Sequence, residues 1–275
     1  MIKTLARPVT PPPSDAAAEE LLAWGISVFG SRLAICTSFQ AEGMVIIDMA
    51  ARLTGGHVSV FTIDTGRLSE ETQTLIGEVR ERYGIEIEVI FPDASEVAGM
   101  VSRHGPNLFR DSVAKRRMCC EVRKVRPLRR KLADLDAWVV GLRRGQSETR
   151  RDIEKVSLDA KHEGVTKICP LAEWTHEEVW AYLRRHNVPY HSLYDQGYTS
   201  IGCAPCTRAT TGSEDARAGR WWWETDATKE CGLHLSPSGE LKREFDVMLH
   251  EVLPQAAPLQ SRYPFFSAFR RGGSI

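Results

Sequence analysis

Between Leu33 and Leu142 short apolar runs alternate with amphipathic segments of helix length, and this alternation most narrows the folds open to the chain. "RLAICTS" reads as a buried strand, and the turn "SFQAEG" opens a helix over "MVIIDMAARL" that Gly55 and Gly56 stop. "HVSVFTID" is a second strand, followed by a helix over "EETQTLIGEVRERY", capped by Ser69 and closed by Gly84. "IEIEVIF" is a third strand and "AWVVGL" a fourth, the latter after a long basic helix that includes Cys119 to Ala133. Strands and helices in this order predict an α/β fold, a twisted parallel sheet covered on both faces. Ligands of such sheets sit beyond the carboxyl ends of the strands. The turns placed there are "TSFQAEG", "DTGRLS" and "RRGQSETR", rich in Gly, hydroxyl or Arg as an anion site requires. No Walker A or dinucleotide glycine pattern is present.

Outside this stretch, Ser14 is placed to cap a helix over "DAAAEELLAWGISVF" ended by Gly30. "RDIEKVSLDAKHEGVTKICPL" reads as a hairpin or irregular crossing, and "THEEVWAYLRRHN" as a helix with a Thr175/Glu178 capping box. Near the end, "LSPSGELKREFDVMLHEVLPQ" reads as an amphipathic helix. The expected organisation is a flexible Pro-rich lead over 1–14, an α/β domain over 15–220, a short segment over 221–236 and an extension over 237–275. No apolar run approaches the ~20 residues that span a bilayer, and the lead lacks a signal-peptide core, so a cytoplasmic protein is expected.

The 275 residues balance 36 Lys and Arg against 36 Asp and Glu, but unevenly along the chain. Residues 115–151 hold thirteen basic and four acidic side chains, an excess of nine. Such a block coats solvated helices, or binds nucleic acid or a small polyanion. Here it abuts two cysteines and glycine-bounded turns, which favours a bound anion.

Seven cysteines in a chain of this class point to metal binding, catalysis or burial rather than a disulfide framework. Cys203 and Cys206 form C-x-x-C in a tight turn suited to zinc, a redox disulfide or an iron–sulfur cluster. Cys119 and Cys120 are adjacent on a helix, where neighbours point ~100° apart. That divergence suits different irons of one cubane better than a shared zinc. Packing alone remains the alternative for this pair. Cys36 and Cys169 lie in strand-like contexts and read as core residues. Cys231 is then left over, near Lys229 and His234 and without an evident resolving partner; such a thiol can have a lowered pKa and act as a nucleophile, and any covalent adduct on it would need an external dithiol for release.

"CTSFQAEGMVIIDM", "FTIDTGRLSEETQ", "RRMCCEVRKVRPLRRKL", "VVGLRRGQSETR", "CPLAEWTHEEVWAYL", "VPYHSLYDQGYTSIGCAPCTRA" and "EDARAGRWWWETDATKECGLH" together resemble the cluster-containing adenylyl-sulfate reductases, relatives of the phosphoadenylyl-sulfate reductases. The resemblance implies an adenine-nucleotide alpha-hydrolase-like fold whose modified pyrophosphate loop runs from Ser38 to Gly43. It implies a [4Fe–4S] cluster on Cys119, Cys120, Cys203 and Cys206, and Cys231 as the catalytic nucleophile. Ser38, Lys124, Arg150, Arg217 and Arg220 would bind the substrate, with Arg143 and Arg144 as further basic candidates. The implied reaction is reduction of adenosine 5′-phosphosulfate to sulfite and AMP through S-sulfocysteine, in sulfate assimilation and cysteine biosynthesis. Thioredoxin or glutaredoxin would donate the electrons. No nucleic acid or membrane partner is implied, and a homo-oligomer is compatible with it. The alternatives are a phosphoadenylyl-sulfate or dual-substrate reductase and, from another class, a zinc-bearing RNA-binding or tRNA-thiolating protein. Asp64 and Thr65 are expected to shape the second loop around the ribose, and Trp221 to Trp223 to pack the segment before Cys231 onto the body.

Overall fold

The computed structural model describes residues 10–224 except 160, 161, 163 and 213. Residues 1–9 of the lead, Cys231, His234 and the extension lie outside the described residues.

Six strands form one sheet in the order β3-β2-β1-β4-β6-β5. They are β1 (Leu33–Cys36), β2 (Val60–Ile63), β3 (Ile87–Ile90), β4 (Ala137–Val140), β5 (Val156–Asp159) and β6 (Val165–Ile168). The first five of these in spatial order run parallel. The edge strand β5 runs antiparallel to β6, pairing Val156 with Ile168. The expectation of a parallel sheet is corrected at this edge: only five residues separate β5 from β6, too few for a parallel crossover, so the pair closes as a hairpin. The sequence reading named four strands, with a hairpin or irregular crossing where β5 and β6 lie.

The described residues form seven α-helices: α1 (Ala18–Phe29), α2 (Ala41–Thr54), α3 (Glu70–Tyr83), α4 (Ala94–His104), α5 (Val113–Cys120), α6 (Arg126–Leu132) and α7 (His176–Arg185). Alternation along the strands sorts the two faces. Leu33, Ile35, Ala137 and Val139 face the layer of α1, α2, α3 and α7. Ala34, Trp138 and Val140 face α6. Helix α2 is buried over nearly its whole first three turns, from Ala41 to Ala51, which explains its lack of a polar face.

Local signals set most boundaries. Gly55 and Gly84 end α2 and α3 in left-handed conformation. At α7, Thr175 and Glu178 form the expected capping box, with bonds of 3.1 and 2.7 Å. At α1 the start moves from Ser14 to Ala18. Glu20 caps it by accepting the Ala17 N–H at 2.9 Å, while residues 11–13 are prolines that delay the helix. Helix α4 had no sequence expectation; Asp93 starts it by accepting from the amides of Ser95 and Glu96.

The long basic helix is interrupted. Between α5 and α6 the segment Glu121–Val125 is π-helical, with the Arg126 N–H bonded to the Glu121 carbonyl five residues back. Pro127 follows directly and has no N–H to donate, which suits a locally widened turn. This turn begins immediately after Cys119-Cys120.

Candidate active site

Strand order reverses direction between β1 and β4: from β1 the chain adds β2 and β3 on one side, then β4 on the other. The crevice beyond their carboxyl ends is where an open α/β sheet takes a ligand. Two loops line it. After β1, Phe39 adopts φ +56° and turns the chain into α2. Ser38 is exposed there and accepts a hydrogen bond from Gln40 Nε2 at 3.1 Å. Gln40 Oε1 also accepts the Ile201 N–H at 3.0 Å, and the Tyr194 hydroxyl accepts the Ala41 N–H at 3.2 Å. The first loop is thereby tied to the segment that leads into the C-x-x-C turn.

After β4, Gly141 passes close to the start of α2; a Cβ there would lie 2.9 Å from Glu42 Cβ. Arg143 is buried and pairs with Glu42 at 2.8 Å. Gln146 holds the loop together. Its Oε1 accepts from the Arg143 amide and from Arg150, and its Nε2 donates to the Gly141 carbonyl. Arg150 is buried and lies near Cys169, just past β6. Arg144 points outward and pairs with Glu173 at 2.9 Å. Of the two further basic candidates, Arg143 is committed to organising α2 and Arg144 to the surface.

The cysteine pairs meet at one end of the molecule. Cys119 and Cys206 belong to one apolar cluster with Met100, Phe109, Val122 and Trp221, and Cys203 packs against it. The three thiols lie within electrostatic range of one another: Cys119 and Cys206 are each raised by Cys203. Burial is the larger cause; it pushes Cys206 up to about 12, while Arg220 and Arg67 pull the other way. At Cys119 the opposing charges are Arg123 and Arg67. Cys120 is half-buried and adjacent on the same helix end. Among the described residues, no three Cys, His, Asp or Glu side chains are gathered closely enough to grip a metal ion. Three of the four expected ligands nevertheless lie in or against one apolar cluster, the cysteine pocket, with Arg67, Arg123 and Arg220 within electrostatic range. The six described cysteines are all free thiols, so no disulfide competes for them.

Thr65, on the second loop, reaches toward the C-x-x-C turn. Its hydroxyl lies 3.2 Å from Cys203 Sγ, and its carbonyl accepts from Arg123 Nη1 at 2.8 Å. It supports the cysteine turn. Asp64 does shape the second loop, accepting from the Gly66 amide and from Gln73 Nε2. Arg67 was not singled out by sequence. Its carbonyl takes the Ala204 N–H, its side chain donates to Asn107, and its guanidinium lies over Phe109 at 5.1 Å.

Lys124 sits on the π-helical turn and acts electrostatically on Cys36, at the carboxyl end of β1. That puts the Lys124 ammonium within electrostatic reach of the carboxyl end of β1. Cys36 itself is raised to about 12 by burial, with Lys124 opposing. Arg220 is buried, donates to the Ile201 carbonyl at 3.1 Å and presses against Gly202, where no Cβ would fit. Arg217 is half-buried on the turn before it. Much of the remaining basic block is ion-paired: Arg126 with Glu96, Arg129 with Glu121, Lys131 with Glu88.

Residues 32–209 match the Phosphoadenosine phosphosulfate reductase domain. The chain belongs to that family. Adenosine 5′-phosphosulfate reductase of Allochromatium vinosum is 50% identical over 225 residues, 82% of this chain and 87% of the relative. Adenosine 5′-phosphosulfate reductase 2 of Bacillus subtilis is 41% identical over 222 residues, 78% of this chain and 88% of the relative. Among solved structures, the phosphoadenylyl-sulfate reductase of Candida auris in a phosphate complex superposes with a TM-score of 0.60 at 27% identity. The match covers 70% of this chain and 90% of that one. Yeast FAD synthetase superposes at 0.50 with 15% identity, covering 70% and 66%, and shares the fold alone. The family therefore supplies the nucleotide-binding sheet, and the strand switch locates its crevice.

Proposed function

We propose that this chain reduces adenosine 5′-phosphosulfate to sulfite and AMP in sulfate assimilation, with Cys231 as nucleophile and thioredoxin or glutaredoxin as electron donor. The observation that carries the reading is the gathering of Cys119, Cys203 and Cys206, with Lys124 in electrostatic reach of the end of β1, in a chain 50% identical over 225 residues to a named adenosine 5′-phosphosulfate reductase.

Ser38 and the start of α2 receive the nucleotide phosphate, as a helix amino end suits an anion. Lys124, Arg150, Arg217 and Arg220 supply cationic donors for the phosphosulfate. The Cys231 thiolate attacks the sulfuryl sulfur; a sulfur–sulfur bond forms, the bridging sulfur–oxygen bond breaks, and AMP leaves with the electron pair. Charge developing on the bridging oxygen meets fixed ammonium and guanidinium groups, which also reduce repulsion between thiolate and anionic substrate. A dithiol then attacks Cys231 Sγ, expelling sulfite and closing to a disulfide. The dithiol's two electrons reduce sulfur from the sulfate to the sulfite level. Because Cys231 has no resolving partner in its own segment, its adduct persists until a second protein arrives.

The donor set of Cys119, Cys120, Cys203 and Cys206 fits an iron–sulfur cluster: four soft thiolates, three drawn into one pocket, with Arg67, Arg123 and Arg220 placed to offset their negative charge. Bound there, a [4Fe–4S] cluster would supply structural order and an electrostatic field at the crevice. A cytoplasmic setting belongs to the same reading, and no described helix is long and apolar enough to cross a membrane.

Mass spectrometry of the full chain after exposure to substrate without reductant tests the reading. An SO₃ group on the Cys231 peptide, with one AMP released per adduct, is expected. An unmodified peptide overturns it. The phosphoadenylyl-sulfate alternative draws on the Candida auris likeness, and relative turnover on the two substrates decides between them.

A further inference from the structure

Glu224 is seven residues before Cys231 in sequence, and it is tied to the body by an unusual contact. Arg116, on α5, is fully buried and donates Nε to Glu224 at 2.6 Å; the carboxylate is 6% exposed. The guanidinium of Arg116 also lies 4.3 Å from the ring centre of Trp221, and that of Arg220 lies 4.7 Å from the same ring. Two guanidinium groups thus rest on one indole, one of them paired to Glu224 and the other a proposed substrate ligand. Trp221 holds φ +43°, a left-handed conformation costly for a bulky side chain, so the surrounding contacts must fix it.

The same turn is tied to both cysteine pairs. Arg116 stands three residues before Cys119, on the same face of α5. The Trp221 N–H donates to the Cys206 carbonyl at 3.2 Å, and the Glu224 N–H closes the turn on the Trp221 carbonyl at 2.9 Å. Chain geometry limits Cys231 to about 24 Å from Glu224, at roughly 3.4 Å per extended residue. Where Glu224 is held therefore sets the point from which the nucleophile reaches the crevice.

We infer that Arg116, Trp221 and Glu224 are positioning residues that hold the root of the Cys231 segment in register with the cysteine pocket and with Arg220. This rests on the proposed role of Cys231. The buried charge pair is costly to assemble and is weak evidence for stability alone, so its placement at the root of this segment is better explained by positioning. Small misplacements of a reacting group cost up to ~100-fold in rate.

The test uses the full, cluster-loaded chain with Glu224→Gln and Glu224→Asp. Four quantities are measured: the single-turnover rate of SO₃ transfer to Cys231, AMP affinity, visible cluster absorption and melting temperature. Glu224→Gln is expected to slow transfer about tenfold or more, with AMP affinity within about twofold of the parent and cluster absorption retained. Glu224→Asp keeps the charge and is expected within about threefold of the parent rate. Parent-like transfer in Glu224→Gln overturns the inference. So does equal slowing in both variants, or a loss of AMP affinity or cluster matching the loss of rate. If Glu224→Gln does not fold, Glu224→Asp decides: transfer within about threefold supports positioning, and a larger loss overturns it. Failure of the parent chain to form any adduct is a different result and removes the proposed function instead.

Discussion

The sheet core and the cysteine end are built on opposite principles. Around β1 and β4 the interior is aliphatic, and Ile47, Val45, Met44 and Val139 are wholly buried with few polar neighbours. At the cysteine end, arginines 116, 123 and 220 are buried beside thiols, Trp221 is held in a left-handed conformation and a π-helical turn replaces regular helix. Apolar burial is non-directional and tolerates modest change; buried charge and strain persist only when every neighbour is in place. The first region therefore sets whether the chain folds, and the second sets what the folded chain can do.

The sharpest way to break this division is Cys231→Ser. Sulfite production is expected to fall at least a thousandfold, about 4 kcal/mol in the barrier, with no SO₃ adduct on the peptide and an unchanged melting temperature. Sulfite formation at the parent rate would remove Cys231 from the chemistry. The mirror-image change is Ile47→Ala in α2, a fully buried side chain packed between the sheet and its neighbouring helices. It is expected to cost about 2–5 kcal/mol of unfolding free energy while turnover per folded molecule stays within about twofold. Denaturant unfolding alongside activity normalised to folded protein checks both halves. Next in size is Lys124→Ala, on the π-helical turn and in electrostatic reach of the end of β1. Loss of one preorganised cation is expected to lower the transfer rate about 100-fold and to shift stability little. An effect confined to substrate affinity would assign Lys124 to binding and not to the transition state.

How far sequence carried the reading follows the same line. Strand–helix alternation, the glycine helix ends at Gly55 and Gly84 and the capping box at Thr175 are local patterns, and each has its expected place in the fold; of the two cysteine pairs, Cys119, Cys203 and Cys206 come together in or against one apolar cluster. What escaped depends on residues far apart. Arg116 finds Glu224 across 108 positions, Thr65 reaches Cys203 across 138, and Gln40 meets Ile201 across 161. No periodicity encodes such meetings. The antiparallel β5 was visible only as an ambiguous hairpin, because four-residue strands carry too little pattern to fix direction. The π-helical turn had one local signal, Pro127 inside an otherwise helical run. Arg67 carried none; its importance comes from the fold bringing it to the thiols.

Two cysteines sharpen the comparison most finely. Burial pushes both Cys169, in the sheet core, and Cys206, in the pocket, up to about 12. In Cys169 the thiol has no metal to hold, so its protonated form favours the folded state. That contribution is fully present below the ordinary thiol value near 9.0 and is lost as pH rises toward about 12. Across this window one retained proton corresponds to about 1.4 kcal/mol per pH unit. Cys169→Ala should therefore flatten the alkaline fall in unfolding free energy by about that slope, at a modest cost near neutrality. An alkaline limb unchanged by the substitution would mean that Cys169 titrates normally in the folded chain. Cys206, once its sulfur is a ligand, must already be a thiolate and can contribute no such limb. Its dependence runs the other way, with protons competing against the bound group as pH falls. Unfolding curves of the cluster-loaded chain between pH about 8 and 10.5 should thus respond to Cys169→Ala with the alkaline slope assigned to that single thiol. A cluster-depleted sample should fall more steeply than the loaded one, because Cys206 then rejoins Cys169 as a buried thiol.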